Sequence, residues 1–255
     1  MNLPEKPEQI SERFIPLVLH RIVRGTACQW EDVSVPMFKQ MLARIEQYWC
    51  LFDGRSATAG ARWQLTFDDG AASDYEIAFP LLLESGIRAA FFLIADAIGS
   101  QGHITWGQAA EMHRHGMQIG SHSSTHRRLT ILTPTEAEQE LRGSRQRLED
   151  HLGAPVTTFS YPFGECSLRL HQLCFAAGYE LVYTSSHGVA HSGRQVFPRN
   201  AIHSKMSWRE IEAVMTPQAG TRLYWILENQ AKEIIKGTLG LEHYTHWRNR
   251  LFGDR

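Results

Sequence analysis

Residues 63–70 read WQLTFDDG, a short apolar run that ends in two adjacent acids and a glycine. The run has the length and composition of a buried β-strand, and Asp68-Asp69-Gly70 is a turn signal. Adjacent carboxylates are common in solvated turns. At the end of an apolar strand, however, they repel each other unless a cation or an arginine compensates, so the stretch also indicates a charged site.

On both sides of this stretch, apolar segments of strand length alternate with helical ones that mostly end at glycine. The predicted strands are residues 14–19, 63–67, 89–95, 117–120, 156–161 and 180–184. The predicted helices are residues 36–48, 75–85, 106–115, 134–152 and 168–177, with surface helices within 221–255. This alternation is typical of parallel β/α units, in either a barrel or a doubly wound sheet. We predict one α/β domain over residues 1–255, because no linker divides the chain.

Composition excludes several classes of protein. The chain has 26 Lys and Arg against 27 Asp and Glu, so no net positive charge is available to collect nucleic acid. Neither a signal peptide nor an apolar run long enough to span a membrane is predicted. The four cysteines lack C-x-x-C spacing, which favours reduced thiols and a cytoplasmic location. The sequence predicts nothing about oligomeric state.

A second polar motif follows another predicted strand. His122 and His126 stand four residues apart in SHSSTH, a spacing that lets two imidazoles converge on one cation, although two surface histidines are the alternative. With one carboxylate they would form a triad that leaves coordination positions open for water and substrate. No G-x-S-x-G and no glycine-rich nucleotide loop is present.

Three motifs together resemble a known family. TFDDG at 66–70, HSSTH at 122–126 and YPFG at 161–164 are similar, in this order, to the first three motifs of the NodB-homology polysaccharide deacetylases, carbohydrate esterase family 4. The resemblance covers residues 14–208. It implies a distorted (β/α) barrel, a divalent metal ion with zinc as the expected one, and hydrolysis of an acetyl group on a sugar. Residues 221–255 are then a C-terminal helical extension.

The resemblance also implies roles for individual residues. Asp69, His122 and His126 match the metal ligands, and Asp68 matches the general base that takes a proton from water. The backbone amide of Phe163 matches the donor that stabilises the oxyanion.

The residues around that amide are expected to line the substrate site. These are Tyr161, Pro162, whose ring fixes the chain, and Gly164, which permits a tight turn.

The sequence departs from the family's pattern at two places. Many members have an arginine two residues before the proline of the third motif, where it pairs with the base, but here the residue is Ser160. We predict that Arg199 reaches Asp68 instead, although an arginine at a strand start is often a surface residue. His203 lies where the family's last motif, L-x-x-H, places the general acid, with Asn200 in place of the leucine.

The family's fourth motif has no clear counterpart. Tyr183, His187 and Trp208 are candidate substitutes, and His20 and Trp106 are candidates for the mouth of the site or for core packing.

The predicted function is metal-dependent removal of an acetyl group from an N-acetylated sugar, glycan or glycan precursor. Two alternatives stay open. The same metal site could serve an O-acetyl esterase or another non-peptide amidohydrolase, and the missing arginine could indicate a catalytically silent sugar-binding domain.

Overall fold

The computed structural model describes residues 13–49 and 62–239. The strands are β1 (Arg13–Leu19), β2 (Arg21–Val23), β3 (Asp32–Ser34), β4 (Arg62–Asp69), β5 (Ala89–Leu93), β6 (Gln118–Ser121), β7 (Thr158–Ser160), β8 (Leu181–Tyr183), β9 (Ala190–His191), β10 (Val196–Phe197) and β11 (Asn200–Ala201). The α-helices are α1 (Val35–Trp49), α2 (Phe79–Glu84), α3 (Trp106–Arg114), α4 (Pro134–Leu152), α5 (Leu168–Ala176), α6 (Trp208–Met215) and α7 (Ala219–Leu239). A π-helical turn, Asp74–Ala78, leads into α2, and 3₁₀ turns cover Leu129–Ile131 and Pro162–Gly164.

The main sheet is a nearly closed barrel. Its strands follow the order β10–β8–β7–β6–β5–β4–β1–β11, and all neighbours along this path are parallel. β9 pairs in the antiparallel direction with the start of β1, while β2 and β3 form a separate parallel pair. β10 and β11 stand at opposite ends of the path, yet only Pro198 and Arg199 separate them in the chain. The sheet therefore curls until its two ends meet, as the predicted distorted barrel requires.

Successive side chains of the central strands pack alternately into two separate hydrophobic clusters. Leu65 and Phe67 of β4 belong to the large core between the sheet and the helices. Ala90 and Phe92 of β5 belong to a smaller cluster, with Tyr183 and residues from β9 and β10. Because side chains of a strand point alternately to its two faces, this split shows that the smaller cluster fills the barrel interior.

Local sequence fixes where the helices begin and end. Thr133 caps α4 and forms a capping box with Glu136, and Pro134 occupies the first helical turn. Gly153 ends the same helix with φ of 64°. Thr105 and Ser207 form equivalent capping boxes before α3 and α6. α4 packs against α3, α5 and β6.

Most predicted elements are present, with bounds shifted by a few residues. The predicted helix at 75–85 is instead a π-helical turn followed by α2. The sequence did not predict α6 or the short strands β2, β3, β9, β10 and β11. In the C-terminal extension, α7 covers part of the predicted helical region, and residues 240–255 lie outside the described part. Within the described ranges, no helix is long and apolar enough to cross a membrane.

Candidate active site

The polar motifs meet at the carboxyl ends of adjacent parallel strands. Asp68 and Asp69 are the last residues of β4, His122 follows β6, and Ser160 ends β7. These strands neighbour one another through β5, so their ends form one rim of the barrel. This is where parallel α/β folds place their sites.

The three predicted metal ligands come together at this rim. Nε2 of His122 and Nε2 of His126 each lie 3.4 Å from Oδ1 of Asp69. One ligand atom from each of the three side chains lies within 4.8 Å of the others. Nδ1 of His122 is 2.9 Å from the carbonyl oxygen of Ser160; when Nδ1–H donates to that oxygen, Nε2 is left as an unprotonated ligand.

Two further observations fit a cation at this point. Oδ1 of Asp69 is buried and has no hydrogen-bond partner among the described residues, which is costly for a carboxylate unless an ion binds it. Burial lowers the pKa of His126 to about 4, and the neighbouring His122 adds to this effect, so the His126 ring is neutral near pH 7. Burial lowers the pKa of His122, but the charge of Asp68 and then the interaction with Asp69 outweigh burial and leave that pKa raised, so His122 releases a proton when it binds a cation. One oxygen and two imidazole nitrogens suit zinc or a similar divalent ion.

A third carboxyl, which the sequence analysis missed, crowds the same rim. Asp74, the first residue of the π-helical turn, is completely buried, and both of its oxygens lack a hydrogen-bond partner within the described ranges. Burial, followed by the charges of Asp69 and Asp68, raises the pKa of Asp74 well above its usual value. The neutral form of Asp74 is thus favoured beside the two ionised carboxylates.

The backbone is strained at this rim. Among the described residues, four that are not glycine have positive φ: Asp69 at 74°, Ser123 at 68°, His126 at 61° and Phe163 at 59°. All four lie in the three sequence motifs. Such conformations cost about 1–3 kcal/mol each and persist where the surrounding structure holds them, which is characteristic of functional sites.

Arg199 holds Asp68 through a two-pronged contact. Nη1 of Arg199 donates to Oδ1 and Nη2 donates to Oδ2, each at 2.7 Å. Arg199 is fully buried and Asp68 is 3% exposed. The arginine projects from the two-residue connection between β10 and β11, so the predicted contact between Arg199 and Asp68 is present.

Every N–H of the Arg199 guanidinium has an acceptor. Besides Asp68, the guanidinium donates to Thr66 Oγ1, to Ser160 Oγ and to the carbonyl of Thr184. Ser160 Oγ in turn donates to Oδ2 of Asp68 at 3.0 Å. Ser160, at the position of the expected arginine, thus joins the same network. A fully satisfied buried network of this kind fixes the geometry of its members.

This network determines the charge on Asp68. Burial raises the pKa of Asp68, but the charge of Arg199, followed by that of His122, outweighs burial and leaves the pKa below its ordinary value. Asp68 is therefore ionised at neutral pH. Burial likewise raises the pKa of Asp69, and the interaction with His122 more than offsets it, so the pKa of Asp69 is also low.

The third motif forms a tight turn whose first two side chains are buried. Tyr161 is fully buried, and its hydroxyl lies 2.8 Å from Nδ1 of His171 and donates to Sγ of Cys174. Pro162 is also buried. These two side chains pack into the protein and shape the turn, and their predicted contact with substrate stays a prediction.

Gly164 allows that turn to form. It has φ of 67°, and a Cβ at this position would lie 2.3 Å from Cβ and Oγ of Ser185. Its role is thus conformational. Phe163, by contrast, faces the metal ligands, with its ring centroid 4.7 Å from that of His126.

A partly buried ion pair also contacts the ring of Phe163. Arg128 lies with its Cζ 4.0 Å above the ring of Phe163 and pairs with Glu165. Glu165 also accepts from Thr130 Oγ1 at 3.0 Å. The turn that carries the predicted oxyanion donor is thereby tied to the segment that follows His126.

Two histidines, His20 and His203, follow strands that end at the same rim as Asp68. His20 directly follows β1, whose last residue, Leu19, pairs with Phe67, so His20 leaves the sheet beside Asp68. Burial raises the pKa of Asp68 and Asp69, and His122 lowers both more strongly than His20 does. His20 makes a further, smaller contribution that lowers the pKa of both acids. His203 follows β11 on the same rim.

An aromatic residue that the sequence did not single out joins these histidines. Trp30 stacks on His203, with ring centroids 4.6 Å apart and planes at 26°. Its edge meets His20 at 6.3 Å. A tryptophan in a loop between two short strands carries no distinctive sequence pattern.

The other residues considered for the fourth motif or for the mouth of the site are mainly packed against neighbouring side chains. Tyr183 is buried in the barrel interior, with its ring centroid 5.8 Å from Cζ of Arg199. His187 stacks on Trp225 of α7, and Trp106 stacks on His151. Trp208 begins α6 and packs against the large core.

A comparison with family models gives a match over residues 55–182 to the model described as polysaccharide deacetylase. The chain belongs to the polysaccharide deacetylase family. The matched region contains the two acids, both histidines and the turn with Phe163, whereas Arg199 and His203 lie beyond it.

Curated relatives match about half of the chain. YxkH of Bacillus subtilis is 33% identical over 126 residues, which is 49% of this chain and 45% of that protein. Chitin deacetylase 1 of Cryptococcus neoformans var. grubii is 27% identical over 125 residues, which is 49% of this chain and 26% of that protein. The matches thus span less than half the length of these relatives.

Solved structures share the fold over a larger part of the chain. The Streptococcus pyogenes deacetylase PplD, solved with acetate, has a TM-score of 0.71 at 22% identity, covering 81% of this chain and 100% of that one. A polysaccharide deacetylase of Bacillus cereus has a TM-score of 0.70 at 22% identity, covering 80% of this chain and 69% of that one. The barrel is therefore the fold of these deacetylases.

Proposed function

We propose that this chain is a metal-dependent hydrolase that removes the acetyl group from an N-acetylated sugar, in a glycan or a glycan precursor. The observation that carries the proposal is the pair of acids at the end of β4. Asp69 faces two histidines as a metal ligand would, while Asp68 is held apart by Arg199 and stays ionised. A purely sugar-binding domain has no use for a second, separately held carboxylate.

The metal would be held by Asp69, His122 and His126, and zinc fits this donor set. When bound, a divalent cation makes a coordinated water more acidic and polarises the acetyl carbonyl. His122 is oriented by the carbonyl of Ser160 and would give up its Nε2 proton when the cation binds, whereas His126 is already neutral at working pH.

Asp68 is the proposed general base. An ionised carboxylate offers about four acceptor positions, and Arg199 and Ser160 occupy three of those on Asp68. The remaining position can accept a proton from the attacking water. The same contacts prevent the carboxylate from rotating, which favours a fixed direction of proton transfer.

The backbone amide of Phe163 is the proposed donor to the developing oxyanion. The turn holds Phe163 at a strained φ of 59°, and the contact of the Phe163 ring with Arg128, which pairs with Glu165, helps to keep that conformation. A donor fixed in advance loses no reorganisation energy when charge appears on the substrate, and such donors contribute about 10²–10³-fold to kcat.

The proton donor to the leaving amine is a histidine of the same rim. The family resemblance favours His203, whereas the position of His20 beside Asp68 makes it the competing candidate. Loss of the basic limb of the pH–rate profile in His203→Ala, with the limb kept in His20→Ala, supports His203. The reverse result assigns the proton to His20.

The deciding experiment is acetate release from a panel of N-acetylated oligosaccharides, with the protein stripped of metal and then reloaded with zinc. Release that depends on the ion and is lost in Asp68→Asn supports the proposal. O-acetylated sugars in the same panel test the esterase alternative, and binding without release from any of them indicates a silent sugar-binding domain.

A further inference from the structure

We infer that Glu140, on α4, is a positioning residue that holds the metal-binding loop in its ligating conformation. The inference rests on the proposed metal site. The loop in question is the HSSTH segment, His122 to His126, which contains two of the three ligands. Glu140 lies in a helix behind this loop and touches neither the proposed metal nor the substrate.

Glu140 is a buried carboxylate that accepts hydrogen bonds from the backbone of the loop. One of its oxygens, Oε2, accepts from the amide N–H groups of Ser124 at 3.0 Å and Thr125 at 2.9 Å. Its other oxygen, Oε1, accepts from Thr125 Oγ1 at 2.5 Å, and its own carbonyl accepts from Ser124 Oγ. The side chain is buried with the residue only 7% exposed, so these bonds form away from bulk water, where they are strong.

Nearby serine hydroxyls accept the amide N–H groups of Ser123 and His126. The N–H of His126 donates to Ser123 Oγ, and the N–H of Ser123 donates to Ser121 Oγ. Ser121 Oγ donates to Ser144, which lies one helical turn after Glu140 on α4. The four consecutive amides from Ser123 to His126 are thus satisfied by side chains rather than by a regular ladder.

This support is needed because the loop is strained. Ser123 and His126 both have positive φ, and neither is glycine. A loop free of Glu140 would relax toward ordinary backbone angles and turn the His126 ring away from Asp69. Glu140 therefore acts on the ion through the backbone of the loop, and its removal weakens metal affinity.

The test measures affinity for zinc alone, by competition with a chromophoric chelator, in the full chain without substrate. Glu140→Ala should bind zinc about 10- to 100-fold more weakly than the wild type, the range typical of residues that orient metal ligands. Glu140→Gln keeps the volume and one acceptor oxygen but loses the charge, so it should restore part of the affinity. Glu138→Ala, on the exposed face of the same helix, is the matched control and should bind as the wild type does.

Cobalt gives a second measurement, because its visible absorption reports coordination geometry. The spectrum should change in Glu140→Ala and stay unchanged in Glu138→Ala. Wild-type zinc affinity in folded Glu140→Ala, or in Glu140→Gln if the alanine variant does not fold, overturns the inference. A wild-type protein that binds zinc but releases no acetate refutes the proposed activity and leaves the role of Glu140 intact.

Discussion

Replacing Arg199 with methionine removes the guanidinium that holds the proposed base. Methionine has a similar length and can fill the same buried space, but it donates no hydrogen bond. The substitution leaves Asp68 with one hydrogen-bond donor, Ser160, and removes the guanidinium charge that is its main compensation inside the protein. Thr66, Ser160 and the carbonyl of Thr184 each lose a contact as well.

The magnitude follows from the burial of the pair. Arg199 is 0% exposed and Asp68 is 3% exposed, so the pair is a buried one and not a surface ion pair. Removing one partner of such a pair costs about 3–5 kcal/mol. For a chain of this length that corresponds to a fall in Tm of roughly 6–20 °C.

The dependence on pH has a definite sign. Arg199 holds the folded-state pKa of Asp68 below its unfolded value. The stability that this contact provides is present above an unfolded pKa of about 3.9 and is lost as the pH falls through the folded pKa. In Arg199→Met the largest contribution that opposes burial is gone and only weaker ones such as that of His122 remain, so the pKa of Asp68 rises and the loss of stability should be largest near neutral pH and smaller in acid. The acidic limb of the kcat profile should move upward.

The assay is urea unfolding of the metal-stripped protein at neutral and acidic pH, together with the pH–rate profile of the zinc form. Arg194→Met removes an exposed arginine shortly before β10 and serves as the control. Arg199→Lys keeps the charge but not the two-pronged geometry, and should recover stability better than turnover. If Arg199→Met is as stable as Arg194→Met and keeps the acidic limb in place, Arg199 does not control Asp68.

Three further outcomes are expected. The purified chain should hold about one divalent ion, and His126→Ala should lose it. The control, His115→Ala at the exposed end of α3, should keep it. Equal metal content in all three proteins refutes the ligand assignment. Asp68→Asn should retain the ion but lose about 10²–10⁴-fold in kcat, and near wild-type turnover would exclude Asp68 as the base. Gly153→Ala should cost about 1–2 kcal/mol of stability, because its φ is positive but the space around it is open. Gly164→Ala should cost more and also lower kcat, since Ser185 blocks its Cβ; equal losses at both glycines would contradict this.

The ligands of the proposed metal site could be predicted because each lies in a short motif. Asp69 closes an apolar strand, and His122 and His126 share one loop, so local sequence contains most of the information about their position. The contact between Arg199 and Asp68 could be predicted only because Ser160 stands where many family members have the arginine that pairs with the base. The two short strands that position Arg199, β10 and β11, have two residues each and no detectable periodicity.

Other features depend on contacts that local sequence does not encode. Tyr161 seemed exposed to substrate because it precedes the turn, yet α5 covers it with His171 and Cys174. Asp74 and Glu140 are acids in helical segments, and nothing in their neighbourhood distinguishes them from solvated ones. Only the packing of those segments behind the rim buries them. Trp30 likewise reaches His203 across more than half of the chain.

The connection that carries Arg199 has a consequence for how the protein is made. A ribosome completes Asp69, His122 and His126 well before it adds Arg199, which lies 131 positions after Asp68. A growing chain therefore contains every proposed zinc ligand before it contains the group that aims the base. Since β10 and β11 are also the strands that join the two ends of the sheet, the contact between Arg199 and Asp68 forms only after synthesis has passed this point and the barrel has closed. An unfinished chain would contain the proposed metal ligands without the arginine that orients the proposed base.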